Sequence, residues 1–263
     1  MERMLVTGAT GQLGRLVVQE LLRRGLSQII ALSSRDQVTL PAGVQLVRGN
    51  LVTGEGLDQA ARSARMVIHC ASNSADPAAI DLAGTRLLLE ALRTFGHPPV
   101  HLVYISIVGV DRSPFPYYQA KAGVESLIRA SGFPYSILRT TQFHGFIRYL
   151  LDNFPRVGTE IRVPAGLRFQ SIDTGEVAGR LVDLACGEPA GLLPDMGGPD
   201  ILTLEAMAQD YLAYQGEASL AWTHESNPRN DLFRSGVNLC PEHRVGHITW
   251  QQFLERELGR RSG

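Results

Sequence analysis

The amino-acid sequence predicts an α/β protein centred on a doubly wound, mostly parallel sheet, and three observations carry that expectation. An apolar opener, Met4-Leu5-Val6, runs straight into Gly8, Gly11 and Gly14, with Leu13, Leu16, Val17 and Leu21 following at helical spacing. Strand-like apolar runs and helix-like segments then alternate five times. No repeat, low-complexity tract or flexible linker divides the 263 residues. With right-handed crossovers, such an order puts a ligand site at the carboxyl ends of the strands.

A chain of this length can bury a substantial core, as one large domain or as a domain with a small appended lobe. Its 25 basic and 26 acidic residues leave a net charge of −1, which gives no electrostatic case for nucleic acid or an anionic membrane surface. Cys70, Cys186 and Cys240 stand far apart with no metal spacing and read as reduced thiols. No run of about 18 apolar residues occurs, and a strand rather than a leader occupies the N-terminus, so a cytoplasmic protein is expected.

The first strand–helix joint carries chemistry of its own. Gly8 permits a tight turn with positive φ, Gly11 lets backbone approach a phosphate, and Gly14 lets the helix lie close on the strand. The first-turn N–H groups, at Gln12 and Leu13, and the positive end of the helix dipole favour an anion without a basic side chain. Gly8, Thr10, Gly11, Gln12 and Leu13 are thus candidate cofactor contacts, the alternative being a plain strand-to-helix turn. The helix should end at Arg23 and Arg24 with Gly25 as its cap. Ile29-Ile30-Ala31-Leu32 follows as a second strand and completes a Rossmann-type unit.

After that strand come Ser33, Ser34 and Arg35, where a unit selective for NAD carries an acid against the adenosine ribose. Here the strand end has none. The planar donor fork of Arg35, helped by the hydroxyl of Ser33 or Ser34, suits a 2′-phosphate. NADP (NADPH) is the expected cofactor, with NAD as the alternative through Asp36. Val44-Gln45-Leu46-Val47 makes a third strand, and 66–72 a buried fourth, whose small closing residues Ala71 and Ser72 leave room for a cofactor. His69 reads as a core histidine, since no partner sits at metal spacing. A helix is expected over 77–92.

The fifth strand, 100–106, brings Ser106 to the same edge as the glycines. Past a loop with Pro114 and Pro116, Tyr117 and Lys121 stand four apart and share one face of a helix running to about Ala130. A phenol, with its pKa near ~10, exchanges protons at neutral pH only where its anion is stabilised. An ammonium one turn away does that, and Pro116 adds the helix dipole. Packing alone is the competing reading of these aromatics.

Thr-Gly-Ala-Thr-Gly-Gln-Leu-Gly (7–14), with glycines at intervals of three and three, resembles the atypical and extended short-chain dehydrogenase/reductases, especially the NmrA-like branch with its quinone-reductase relatives. The resemblance implies several roles. Arg48-Gly49-Asn50-Leu51 matches the family's Gly-Asp-Leu segment beside the adenine, with Asn50 in place of the acid. Tyr117 would donate a proton to a carbonyl as hydride arrives, Ser106 would orient the substrate, and Lys121 would hold the nicotinamide ribose. NmrA-like proteins often keep the lysine while lacking a working tyrosine. The strand end at 140–144 would lie beside the nicotinamide, making Phe143 and His144 candidate substrate contacts, with a structural histidine as the other reading of His144.

Taken together, residues 1–145 are expected to form the NAD(P)-binding Rossmann domain, and 146–263 a small C-terminal substrate lobe packed on it. Phe146, Ile147, Tyr149, Leu150 and Phe154 make an apolar stripe for core or pocket wall. Asp173 and Glu176 read as a helix start, 228–240 as a lid or dimer contact, and Thr249 as the cap of a last helix. The leading expectation is an NAD(P)H-dependent oxidoreductase, with NADPH preferred, that passes hydride to a small carbonyl or quinone. Its rival is a non-catalytic NADP(H) sensor that regulates a partner protein, and a sugar-nucleotide epimerase comes third. Monomer and homodimer are both open.

Overall fold

The computed structural model describes residues 3–35, 37–62, 64–96, 100–158, 160–216, 220–224 and 226–259. In chain order these give β1 (Arg3–Thr7), α1 (Gln12–Arg23), β2 (Ile29–Ser33), β3 (Val44–Arg48), α2 (Leu57–Ala61) and β4 (Ala64–His69). A π-helical turn, Ala78–Ala83, runs into α3 (Gly84–Phe95), followed by β5 (His101–Ile107), α4 (Pro116–Ala130), β6 (Tyr135–Thr140) and α5 (His144–Asn153). Then come β7 (Arg156–Val157), β8 (Glu160–Pro164), β9 (Arg168–Phe169), α6 (Thr174–Cys186), β10 (Gly191–Leu192), β11 (Leu202–Thr203), α7 (Leu204–Gln215), β12 (Leu220–Thr223), α8 (Pro228–Ser235) and α9 (Trp250–Leu258). Asp36, the alternative acid, lies outside the described residues. No described helix is long and apolar enough to cross a membrane.

The chain forms two compact units, the first comprising Met1–Ser106, Pro114–Arg139 and Gly175–Leu193. It holds a seven-stranded sheet in the order β10-β6-β5-β4-β1-β2-β3. The ladders β1·β2, β2·β3, β1·β4, β4·β5 and β6·β10 are all parallel. The order reverses at β1 and β4, the switch point at which sheets of this kind open a crevice. Both faces of the strands are buried: Leu5, Ile30, Val67 and Leu102 enter a core with Leu57, Leu88, Leu92, Val124 and Ile128, while their neighbours Met4, Val6, Ile68 and Val103 are buried as well. Such near-continuous apolar strands are what a parallel sheet needs. Helix α6 and strand β10 follow residue 145 in sequence yet belong to this unit, and Arg24 of α1 is paired to Asp183 of α6 at 2.5 Å.

The second unit comprises Ile107–Ser113, Thr140–Thr174 and Pro194–Gly263. Its strands form the sheets β12-β8-β7 and β11-β9. Ile147, Leu151, Ile161, Phe169, Met207, Tyr211, Phe233, Trp250 and Leu254 make its core. Of the apolar stripe on α5, Ile147 is buried and Tyr149 is 61% exposed. The expected cap at Thr249 is present as a capping box with Gln252. Residues 228–240 are not a detached lid: they form α8 and a buried end in which Asn238 donates to Gln142 and to the Arg168 carbonyl.

Elements of the first unit depart from the sequence reading in two places. The short helix α2 between β3 and β4 goes unannounced, since five residues carry no period. The helix expected over 77–92 opens as a π turn, which holds one residue more than an α turn and so changes the face that Asp81 presents. Gly14 fits the close packing foreseen for it, because a Cβ there would stand 2.1 Å from the Gly8 carbonyl oxygen. Gly14→Ala should therefore lower stability by about 1–3 kcal/mol, read as a lower urea midpoint with an unchanged m-value.

Candidate functional site

At the carboxyl end of β1, Gly8 has φ +64°, and a Cβ on it would come within 2.7 Å of the Ala71 backbone nitrogen. The chain turns there in a Gly11 N–H to Gly8 carbonyl bond of 2.9 Å, and α1 begins at Gln12. The N–H groups of its first turn have no partner within the helix. A Cβ on Gly11 would meet only the Gly8 oxygen, at 3.2 Å, so a side chain there would stand in the space above the loop. That is a cradle shaped for a phosphate, and the residues present fit a dinucleotide.

Beside the cradle, Ser33, Thr10 and Arg35 form a small cluster. Thr10 Oγ1 lies 3.4 Å from Ser33 Oγ, the Arg35 backbone N–H donates to Ser33 Oγ at 3.2 Å, and the Arg35 guanidinium reaches the Thr10 carbonyl at 3.4 Å. A cavity of about 470 Å³ opens here, lined among others by Thr10, Arg15, Arg35, Gln37 and Thr39. Arg15 escapes the sequence reading, although its place four residues after Gly11 on the first helical turn is a signal for it. Ser34 is exposed. Asn50 accepts the Val52 N–H at 2.8 Å and so serves a turn, and the Leu51 side chain belongs to the core.

The helix face of α4 carries Tyr117, Lys121 and Glu125 at successive turns. Lys121 is buried: its ammonium donates to the Ile105 carbonyl at 3.2 Å and lies 3.5 Å from Asp81 Oδ1. Burial works against its charge, but Tyr104, Tyr117 and Asp81 outweigh burial and hold its pKa above the ordinary lysine value. The ammonium also stands 4.9 Å from the Tyr104 ring centroid and 5.9 Å from that of Tyr117. Tyr117 itself is half-buried, and its hydroxyl lies 3.1 Å from Ser72 Oγ.

Two of the expected site residues are engaged elsewhere. Ser106 is buried and donates to Glu125 at 2.6 Å, and Glu125 is in turn paired with Arg139 at 2.7 Å. Its only hydroxyl proton is committed to that carboxylate, so the expectation that Ser106 orients a substrate does not match its bonding. His144, in the second unit, is 1% exposed, with Nδ1 at 2.8 Å from Ser171 Oγ and Nε2 at 2.9 Å from the Ile248 carbonyl. Both ring nitrogens are taken, and the rings of Trp250 and Phe253 adjoin it. That is a core histidine rather than a substrate contact. Phe143 precedes α5 as its N-cap and is half-buried.

His69 behaves as the sequence suggests. Ala71 N–H donates to Thr7 Oγ1 at 3.3 Å, Thr7 Oγ1 lies 2.6 Å from His69 Nδ1, and His69 Nε2 lies 2.9 Å from Thr85 Oγ1. The Thr85 hydroxyl donates to the Asp81 carbonyl. Since the Thr85 proton is spent there, Nε2 must carry the hydrogen and Nδ1 must accept from Thr7. The neutral ring is consistent with a pKa pushed down to about 3 by burial and by the Lys121 charge.

These features define a dinucleotide-binding α/β protein. The comparisons with known proteins agree. Residues 8–168 match the model of the NAD(P)H-binding family, and the chain belongs to that family. It is 32% identical over 161 residues to the chloroplastic divinyl chlorophyllide a 8-vinyl-reductase of Oryza sativa subsp. indica, covering 53% of this chain and 39% of that protein. With the photosystem II assembly factor Ycf39 of Cyanophora paradoxa the identity is 30% over 157 residues, covering 57% and 47%. The chain thus spans less than half the length of the curated relatives it matches. Among solved structures, an NADPH-dependent quinone oxidoreductase of Escherichia coli, crystallised with NADPH, superposes with a TM-score of 0.77 at 17% identity, covering 96% of this chain and 99% of that one. A nucleoside-diphosphate-sugar epimerase of Staphylococcus aureus gives 0.77 at 15% identity, with the same coverage. At such identities the likeness shows the fold.

The buried His69 makes stability fall in acid. Its folded pKa lies below the unfolded value near ~6.5, so unfolding takes up a proton, and stability is lost as pH drops from there toward about 3. Relative to His69→Gln, the wild-type protein should lose about 3 kcal/mol between pH 7 and pH 4, measured by urea unfolding at each pH.

Proposed function

We propose that the protein is an NADPH-dependent oxidoreductase of the NmrA-like, atypical short-chain type, reducing a small, fairly apolar carbonyl or quinone. The observation that carries this reading is Tyr117, a half-buried residue with its hydroxyl beside Ser72 and the Lys121 ammonium 5.9 Å from its ring centroid. The names of the matched relatives, a vinyl reductase and a quinone oxidoreductase, support it. Bound NADPH would supply the hydride. Gly8, Gly11, Gln12 and Leu13 would hold its pyrophosphate, and Arg35 with Arg15 and Ser34 its 2′-phosphate. Ala71 and Ser72 would bound the cofactor's path along the sheet edge, and Lys121 would hold the nicotinamide ribose. Tyr117 then gives its proton to the acceptor's oxygen, and Lys121 stabilises the phenolate left behind.

A second reading, a non-catalytic NADP(H) sensor that regulates a protein partner, is favoured by the assembly-factor name of one relative. It uses the cradle and Lys121 without Tyr117. In either reading the protein works in the cytoplasm as a monomer or homodimer. Fold alone names no substrate; turnover does.

The test is NADPH oxidation by the purified protein with a panel of quinones, aldehydes and ketones, run beside Tyr117→Phe. Carbonyl reduction should fall by a factor of about 100 or more in that variant. Saturable NADPH binding without turnover on any acceptor would favour the sensor. In a parallel titration, Arg35→Ala should weaken NADPH roughly tenfold and leave NADH nearly unchanged, and equal loss of both would remove the case for NADP.

A further inference from the structure

The hydroxyl nearest to Tyr117 belongs to Ser72, and its bonding shows which way the protons point. Ser72 Oγ donates to Asp81 Oδ1 at 2.7 Å. A serine has a single hydroxyl proton and an ionised carboxylate accepts only, so across the 3.1 Å to Tyr117 the phenol is the donor. The chain therefore runs from Tyr117 O–H to Ser72 to Asp81. Asp81 is held on every side: Oδ2 accepts the Asn73 N–H at 3.0 Å, Oδ1 faces the Lys121 ammonium at 3.5 Å, and its carbonyl accepts from Thr85. It is 1% exposed, whereas Ser72 is exposed and Tyr117 half-buried. One exposed and one half-buried residue thus bring their hydroxyls to a buried carboxylate–ammonium pair.

We propose that Ser72, and not Ser106, is the serine hydroxyl that works with Tyr117, and that Asp81 is the positioning residue that holds it. This rests on the reading of Tyr117 as proton donor. At rest Ser72 donates its hydroxyl hydrogen bond to Asp81, which leaves a lone pair of Ser72 toward the Tyr117 hydroxyl. Bound NADPH would supply the hydride, with its electron pair, to the acceptor carbon. The acceptor oxygen takes the proton as the Tyr117 O–H bond breaks. The Ser72 hydroxyl then turns from Asp81 to donate to the phenolate, with no covalent transfer, while Lys121 offsets the charge that Asp81 keeps. Water returns the proton to Tyr117. Ser106 has no part in this, because Glu125 holds its proton.

Two measurements test it. In protein labelled with 13C at the tyrosine ζ-carbon, the Tyr117 resonance, assigned by its loss in Tyr117→Phe, reports the hydrogen bond without turnover. It should move in Ser72→Ala and in Asp81→Asn and stay in place in Ser106→Ala. With NADPH and 4-nitrobenzaldehyde, Ser72→Ala should lower kcat about tenfold or more, with the KM for NADPH changed less than about twofold. Ser72→Thr should restore most of it, and Ser106→Ala should keep kcat within about twofold. Ser72→Ala leaves the buried ion pair intact, so it stands as the test if Asp81→Asn does not fold. A Tyr117 resonance unmoved by Ser72→Ala, or moved as far by Ser106→Ala, overturns the proposed arrangement. Turnover that survives Tyr117→Phe overturns the proton-donor reading instead, and the resonance still decides which serine the tyrosine bonds.

Discussion

Gly8 carries its backbone at φ +64° between the Ala71 backbone and the first turn of α1, and no side chain can stand in that gap. The carboxyl ends of β1 and β4 approach one another because of it, and Gly14 lets the helix close over the same point. The switch in strand order and the cradle are thus one packing arrangement. Any ligand held by the first amides of α1 lies at the mouth between these two strands. The small residues after β4 belong to the same constraint, since Ala71 supplies the backbone against which Gly8 rests.

Behind this edge lies a second layer of order made of polar groups. Taking an ammonium and a carboxylate out of water is costly, and removing either partner of such a pair alone costs about 3–5 kcal/mol. The first unit keeps the Lys121–Asp81 pair because both groups have further partners, in Ile105, Ser72 and Asn73. Glu125, Arg139 and Ser106 form a similar closed group one turn along α4. Both polar sets share one helix face, and the set that includes Tyr117 and the exposed Ser72 is the more open to solvent.

Patterns of short range were readable from the chain. The glycine intervals gave the first strand–helix unit, and the spacing of Tyr117 and Lys121 gave one helix face. Alternation of apolar runs gave a parallel sheet whose order at β1 and β4 the structure bears. What escaped depends on contacts distant in sequence or on backbone irregularity. Ser106 reads as reactive because it ends a strand at the right edge, and nothing local says that Glu125, 19 residues on, accepts its hydroxyl hydrogen bond. His144 likewise meets Ile248 across 104 residues. Asp81 sits in an ordinary helical pattern, and a π turn has no signature at the level of apolar period. The two-residue strand β10 is too short for alternation to announce the chain's return to the sheet.

The turn at Ala78–Ala83 also bears on how such a chain can change over time. A π turn is an α turn with one residue inserted. A single deletion there would restore the regular period and swing the preceding segment by about 100° around the axis relative to α3. Asp81 would leave the interior, and Ser72, Asn73 and Lys121 would lose their common partner at once. Substitutions could drift at the positions around Asp81 while the length of the stretch is kept. The count of residues between Pro77 and Gly84, together with the carboxylate at Asp81, is the heritable quantity that the polar layer depends on.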